Sequence, residues 1–159
     1  IFDLRPSILD ELGLIPTLRW YTSQFTKRTK LKIILQTPPI KQRWNPKIEI
    51  TLYRIVQEAL TNILKHGKAN TVTINLTESA NKITAYIIDN GQGFNCRTSA
   101  CLSLQQQQQQ HAGLVGMRER LLDINGKLQI ISEKNKGTQL KITIPLEEKY
   151  DSPKDITGR

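Results

Sequence analysis

Residues 47 to 66 constrain the fold more than any other stretch of this chain. On a helical wheel at about 100° per residue, Ile48, Leu52, Ile55, Val56, Ala59, Leu60 and Ile63 gather on one broad face. Asn45 and Pro46 supply an N-cap followed by proline at the first helical position, and Gly67 supplies the stop. A helix with so wide an apolar face gains its stability by packing that face on a second layer. The opposite side stacks Arg54, Glu58, Asn62 and Lys65 at spacings of four, four and three, with His66 at its edge.

Two β-branched pairs of segments can form the other layer. Thr71 to Leu76 and Ile83 to Asp89 flank a polar Ser79-Ala80-Asn81 turn, and Lys127 to Ser132 and Gln139 to Ile144 flank Glu133 to Thr138. Lys30 to Gln36 reads as a further strand, ended by Pro38-Pro39, with Thr37 to Trp44 as connector. Before it, Arg5-Pro6-Ser7 opens a helical pattern with Ile8, Leu9, Leu12, Leu14, Leu18 and Phe25 mainly on one side, broken near Gly13 and Pro16. Gly116 to Ile124 is predicted as a short helix closed by Asn125-Gly126. The order predicts an α+β fold: a two-layer α/β sandwich with a mixed, mostly antiparallel sheet of about five strands, covered on one face by about three helices.

Bulk properties narrow the function classes. The 159 residues suffice for one domain without disulfide staples. Apolar runs are short, so no membrane contact is expected of this segment, and the cytoplasm is the expected compartment. Ile1 stands first and Met117 is the only methionine, so the chain is expected to be a piece of a longer protein. Cys96 and Cys101 lack the companions a zinc site needs and are expected as thiols. The net charge of +9 is spread along the chain without aromatic interleaving, which reads as a solvated basic surface and not a nucleic-acid footprint.

The polar stripe carries chemistry. A carboxylate, a carboxamide oxygen and a cation one turn apart offer a base, a hard oxygen ligand and a phosphate counter-charge. Magnesium takes only one or two protein oxygens when phosphates supply others, so Asn62 could ligate it directly while Glu58 holds a metal-bound water or acts as base. On the helix alone, an ordinary solvated face explains the stripe as well. Asp89-Asn90-Gly91-Gln92-Gly93 follows a strand; its glycines allow a sharp turn and close approach to a planar ligand, and the carboxylate suits an exocyclic amine. An Asn-Gly turn is the plain alternative. Gly113-Leu114-Val115-Gly116 precedes the predicted helix, where bare N–H groups make an anion site. It is neither a Walker loop nor a Rossmann fingerprint. Gly137-Thr138 is either a turn or a hydroxyl aimed at phosphate.

In this order the segments resemble the ATPase fold shared by histidine kinases, DNA gyrase, the Hsp90 chaperone and the MutL repair protein. Leu52 to Asn62 with Lys65-His66 resembles the N box of the histidine kinases, Asp89 to Phe94 the G1 box, and Gly113 to Leu121, reading GLVGMRERL, the G2 box. Leu4-Arg5-Pro6 through Leu14 is similar to the junction after the dimerisation helices in the nitrate-sensor-like branch. The resemblance implies an ATP- and magnesium-dependent protein histidine kinase domain. By it Asn62 would ligate magnesium, Glu58 would orient or activate the reacting group, Lys65 and His66 would face the phosphates, and Asp89 would read adenine. Gly91 and Gly93 would line the base pocket. Gly113 and Gly116 would anchor a lid and, with Leu114 and Met117, bind the nucleotide, and Gly137 with Thr138 would close the site. Residues 1–29 would be a junction helix, 30–147 the ATPase domain with its lid at 94–112, and 148–159 a flexible tail. The partners implied are the protein's own dimerisation and phosphoacceptor helices and a response regulator; the segment alone would be a monomer and the whole protein a homodimer.

Two departures stand out. Only His66 and His111 are present, followed by Gly67 and Ala112 and not by an acidic residue, so neither fits the acceptor histidine and no autophosphorylation is expected of the chain alone. Six consecutive glutamines, Gln105 to Gln110, occupy the lid, where Gln110 stands in place of a hinge glycine. The rival readings are a non-phosphorylating ATP-binding regulatory module and an anti-sigma-type serine kinase of the same fold.

Overall fold

The computed structural model describes residues 6–39, 42–96 and 109–147. In chain order the elements are helices α1 (Ser7–Leu12) and α2 (Leu14–Thr29), strand β1 (Lys32–Gln36), helix α3 (Pro46–Asn62) with a π-helical turn at Ile63–Gly67, strands β2 (Thr71–Ser79) and β3 (Lys82–Asp89), helix α4 (Gln109–Leu122), and strands β4 (Lys127–Glu133) and β5 (Gly137–Pro145). The tail at 148–159 and the lid residues 97–108, with Cys101, lie outside the described residues.

The five strands form one sheet in the order β1-β2-β3-β5-β4. β1 runs parallel to β2 and every other pair is antiparallel. This is the mixed, mostly antiparallel α+β sandwich expected from the strand pattern. Alternation dictates the faces. Leu76, Ala85, Ile142 and Leu128 form one transverse row pointing inward, and Ile74, Ile87, Leu140 and Ile130 form the next. All are buried against the helices. The outer face carries polar residues, among them Lys141, whose ammonium lies 5.7 Å from the centre of the Tyr86 ring.

Local chemistry sets the ends. The β2–β3 turn places Ala80 and Asn81 at φ 48° and 61°, the two-residue left-handed turn that matches strand twist. The Asn45 side chain accepts from the Lys47 N–H at 2.9 Å, capping α3 with Pro46 behind it. The expected break near Gly13 and Pro16 falls at Gly13 alone, at φ +90°; Pro16 lies in the first turn of α2, where its missing N–H costs nothing. Two boundaries differ from expectation. The first strand begins at Lys32, because Lys30 takes the left-handed cap of α2. The last helix begins at Gln109 and not at Gly116, because glutamine is a good helix former and the turn propagates through both glycines.

α2 packs on β1 and α3, and α4 packs on α3 and β4. Leu14, Ile15 and Leu18 share one core with Leu52, Ile55 and Leu60 of α3, so the N-terminal helices belong to the same packed body. A buried polar clamp joins them. Glu49 is 2% exposed; it accepts from Trp44 N–H at 3.0 Å and pairs with Arg43 Nε at 3.2 Å. Arg43 also reaches the carbonyls of Asp10 and Glu11 and lies against Gly13, where a Cβ would meet it at 2.5 Å. Removing one partner strands a buried charge. Arg43→Ala is therefore expected to lower stability by about 2 kcal/mol, less than for a fully dry pair because the arginine is half exposed; urea unfolding with an unchanged midpoint would count against the clamp.

Candidate functional site

At one end of the sheet the inward row turns polar. Asp89, Thr138 and Ser132 are register partners on β3, β5 and β4, one step beyond the row of Ile87, Leu140 and Ile130. Asp89 is buried, and its carboxylate accepts from the Gly91 N–H at 2.8 Å and from the Thr138 N–H. Burial pushes the Asp89 carboxyl above its ordinary range, and these two N–H groups pull back only part of the way. Beside it Ser132, 2% exposed, accepts from the Phe94 N–H at 2.8 Å and lies 2.7 Å from the Thr138 hydroxyl.

Above this row stands the end of α3. The π-helical turn at 63–67 fits more residues into each turn than an α-helix does. His66 thereby stays near the line of Asn62 while Lys65 swings aside. Asn62, Ile63, His66 and Gly67 line the pocket, and Lys65 is exposed and not among its walls. The Gly67 carbonyl accepts from the Gln92 N–H at 2.6 Å, and the Gln92 side chain donates to the His66 carbonyl. Gly91 passes so close that a Cβ there would collide with the Gly67 carbonyl. Asn90 completes the seam, accepting from the N–H groups of Asn70 and Thr71 at 3.1 Å each. The site is thus a pocket between α3 and the ends of β3 and β5, floored by Asp89 and Thr138, walled by Ala59, Ile87, Phe94 and Leu140, and roofed by Leu114 of α4.

Gly113 to Gly116 do not precede a helix; they lie inside α4, so their N–H groups are not the bare donors of a helix start. The two glycines differ sharply. A Cβ on Gly113 would strike Glu58 Oε1 and come within 2.9 Å of Asn62 Nδ2. A Cβ on Gly116 would meet nothing within 4 Å. Met117, fully buried, anchors the helix in the core. The ends of Glu58 and Asn62 therefore converge on one spot beneath α4, a carboxylate beside a carboxamide. That donor pair suits magnesium shared with phosphates. Among the described residues no cluster of three or more His, Cys, Asp or Glu side chains could hold a metal by itself.

Residues 47–148 match the family described as histidine kinase-, DNA gyrase B-, and HSP90-like ATPase. The chain belongs to that family. It is 39% identical over 146 residues to the signal transduction histidine-protein kinase/phosphatase DegS of Brevibacillus brevis, covering 92% of this chain and 36% of that protein. It is 36% identical over 144 residues to the oxygen sensor histidine kinase NreB of Staphylococcus carnosus, covering 91% and 40%. The chain thus spans well under half the length of these relatives. Among solved structures, the histidine kinase domain of the Erythrobacter litoralis EL346 blue-light activated histidine kinase superposes with a TM-score of 0.69 at 18% identity, over 87% of this chain and 68% of that one.

In this ATPase domain the structure brings Asn62, His66, Asp89, Gly93, Leu114 and Thr138 around one pocket. Glu58 sits at its edge under Gly113, and Gly91 and Gly137 shape the backbone behind it. At Gly137, φ +81°, a Cβ would collide with the Asp89 carbonyl. Sequence reading missed Gln92, Gly67 and Ser132. For Ser132 a signal existed: it is the one polar residue in the inward phase of β4, after Leu128 and Ile130.

Two expectations follow. Gly116→Ala has room and removes a helix penalty, so it should stabilise the ligand-free domain by about 0.5–1 kcal/mol, whereas Gly113→Ala should not; thermal unfolding showing equal effects would contradict the packing described. Asp89 carries a raised pKa, so its contribution to stability is full below the ordinary value of 3.8 and is lost as pH rises through the raised value. Asp89→Asn should therefore unfold at higher temperature than wild type at pH 7, an advantage that shrinks toward pH 4, while ATP affinity falls at least roughly tenfold.

Proposed function

We propose that this domain transfers the γ-phosphoryl group of ATP to a histidine on the dimerisation helices of its own longer protein, for relay to a response regulator. The observation that carries this reading is that Asn62 lines the same pocket as buried Asp89 while Glu58 converges with it, joining a base-reading floor to a phosphate-facing helix. Asp89 accepts a hydrogen bond from the adenine amine, and Ile87, Phe94 and Leu140 sandwich the base in apolar surroundings. Gly93, at φ +57°, lines the pocket, and a Cβ there would collide with the Glu133 carbonyl. His66 faces the phosphates from the π-helical turn, with Lys65 behind it as a source of positive field.

Asn62 would hold magnesium through its carboxamide oxygen, and the ion would neutralise phosphate charge there. Glu58 orients the acceptor imidazole or takes its proton. With little covalent chemistry for the protein to perform, positioning and charge compensation dominate the rate. Neither His66 nor His111 is the acceptor: His66 is committed to the pocket wall. The whole protein is proposed to be a homodimer through helices outside this chain, with this segment monomeric and cytoplasmic; among the described residues no helix is long and apolar enough to cross a membrane.

The test supplies a separate acceptor-helix fragment of the longer protein with Mg-ATP and follows acid-labile phosphohistidine. Wild-type domain should label the fragment and not itself. Glu58→Gln should retain ATP affinity within about threefold and lose transfer by roughly a hundredfold or more. Labelling of His66 or His111 in the domain alone would overturn the assignment.

A further inference from the structure

The hydroxyl of Ser132 has three neighbours and one proton. The Phe94 N–H, 2.8 Å away, can only donate to it. The Gly137 carbonyl, 3.1 Å away, can only accept. The Thr138 hydroxyl, 2.7 Å away, can do either. One arrangement uses every group: Phe94 N–H gives to Ser132, Ser132 gives to Gly137, and Thr138 gives to Ser132. Buried polar groups adopt the arrangement that leaves none unpaired. The Thr138 proton then points away from the pocket, and both lone pairs of its oxygen stay available on the pocket side. Asp89, the adjacent register partner across β3 and β5, is an acceptor as well.

We propose that Ser132 is a positioning residue for base selection: by accepting the Thr138 proton it makes Thr138 an acceptor beside Asp89, so the pocket floor favours a base edge bearing an amine over one bearing a carbonyl. The proposal rests on the adenine-nucleotide reading of the site. Adenine offers two amine protons to this pair of acceptors. Guanine sets a carbonyl oxygen against them and leaves three acceptors facing one another without a proton between them, which is how sites built for a hydrogen bond reject the wrong partner. Ser132 touches no nucleotide atom in this account and acts only through Thr138. The Phe94 N–H holds the Ser132 hydroxyl in place for this contact.

Calorimetric affinities for ATP and GTP, measured on wild type, Ser132→Ala, Ser132→Cys, Thr138→Val and the Ser132→Ala/Thr138→Val pair, test it. Wild type should prefer ATP. Ser132→Ala should weaken ATP binding by roughly tenfold and GTP binding by less than about twofold. Ser132→Cys keeps the packing while weakening the hydrogen bonds; it should shift the ratio the same way and serves where the alanine variant fails to fold. The double variant should lose no more ATP affinity than Thr138→Val alone, since one residue acts through the other. Equal losses for both nucleotides, or losses that multiply in the double variant, overturn the positioning role and leave the ATP site standing. Wild type that binds neither nucleotide overturns the ATP reading and the proposal together.

Discussion

The carbonyl of Gly67 holds the site together. It is the last backbone acceptor of the turn that ends α3, and it receives the Gln92 N–H just beyond β3. Through it the helix carrying Glu58 and Asn62 is tied to the strand carrying Asp89, and the pocket is the gap left between them. Two features exist to permit this contact. The π-helical turn directs the His66 and Gly67 carbonyls at the loop, and Gly91 lacks the Cβ that would block the approach. A standard α-helical end would present other carbonyls and leave the loop without its partner.

Beyond that seam the site is made by changing one row of the sheet. Two inward rows of aliphatic side chains bury themselves against the helices and stabilise the sandwich. The next row, Asp89, Thr138 and Ser132, keeps the inward direction but trades hydrocarbon for hydrogen-bonding groups. The burial that stabilises its neighbours works against an ionised Asp89, which the N–H groups of Gly91 and Thr138 only partly compensate. Keeping such a group at a cost in stability is a common exchange at functional positions. α4 lies over the other half of the site, with Gly113 seated on the Glu58 and Asn62 side chains.

Much of this architecture was legible in the chain. The broad apolar face of α3, the β-branched alternation of the strands, the Asn45-Pro46 start and the polar Ser79-Ala80-Asn81 turn follow from periods and local residue chemistry that neighbours in sequence decide. The family boxes marked Asn62, Asp89 and the glycines. Less legible were the glycines of the G2 box. Read in one dimension they look like the start of a helix, yet they lie within α4 because helix propagates through a tolerated glycine when Met117 and Leu121 pin the far turns in the core.

By itself the sequence determined the class of fold, the pairing partners within each hairpin and the residue types available for nucleotide chemistry, since these depend on periodicity and on side-chain chemistry alone. Only the tertiary structure decided that Asp89, Thr138 and Ser132 stand side by side, for the row depends on the register between β3 and β5, which are separated by some fifty residues of chain. It also decided that His66 and not Lys65 faces the pocket, because a π-helical turn is set by what the end of α3 must meet and not by propensity.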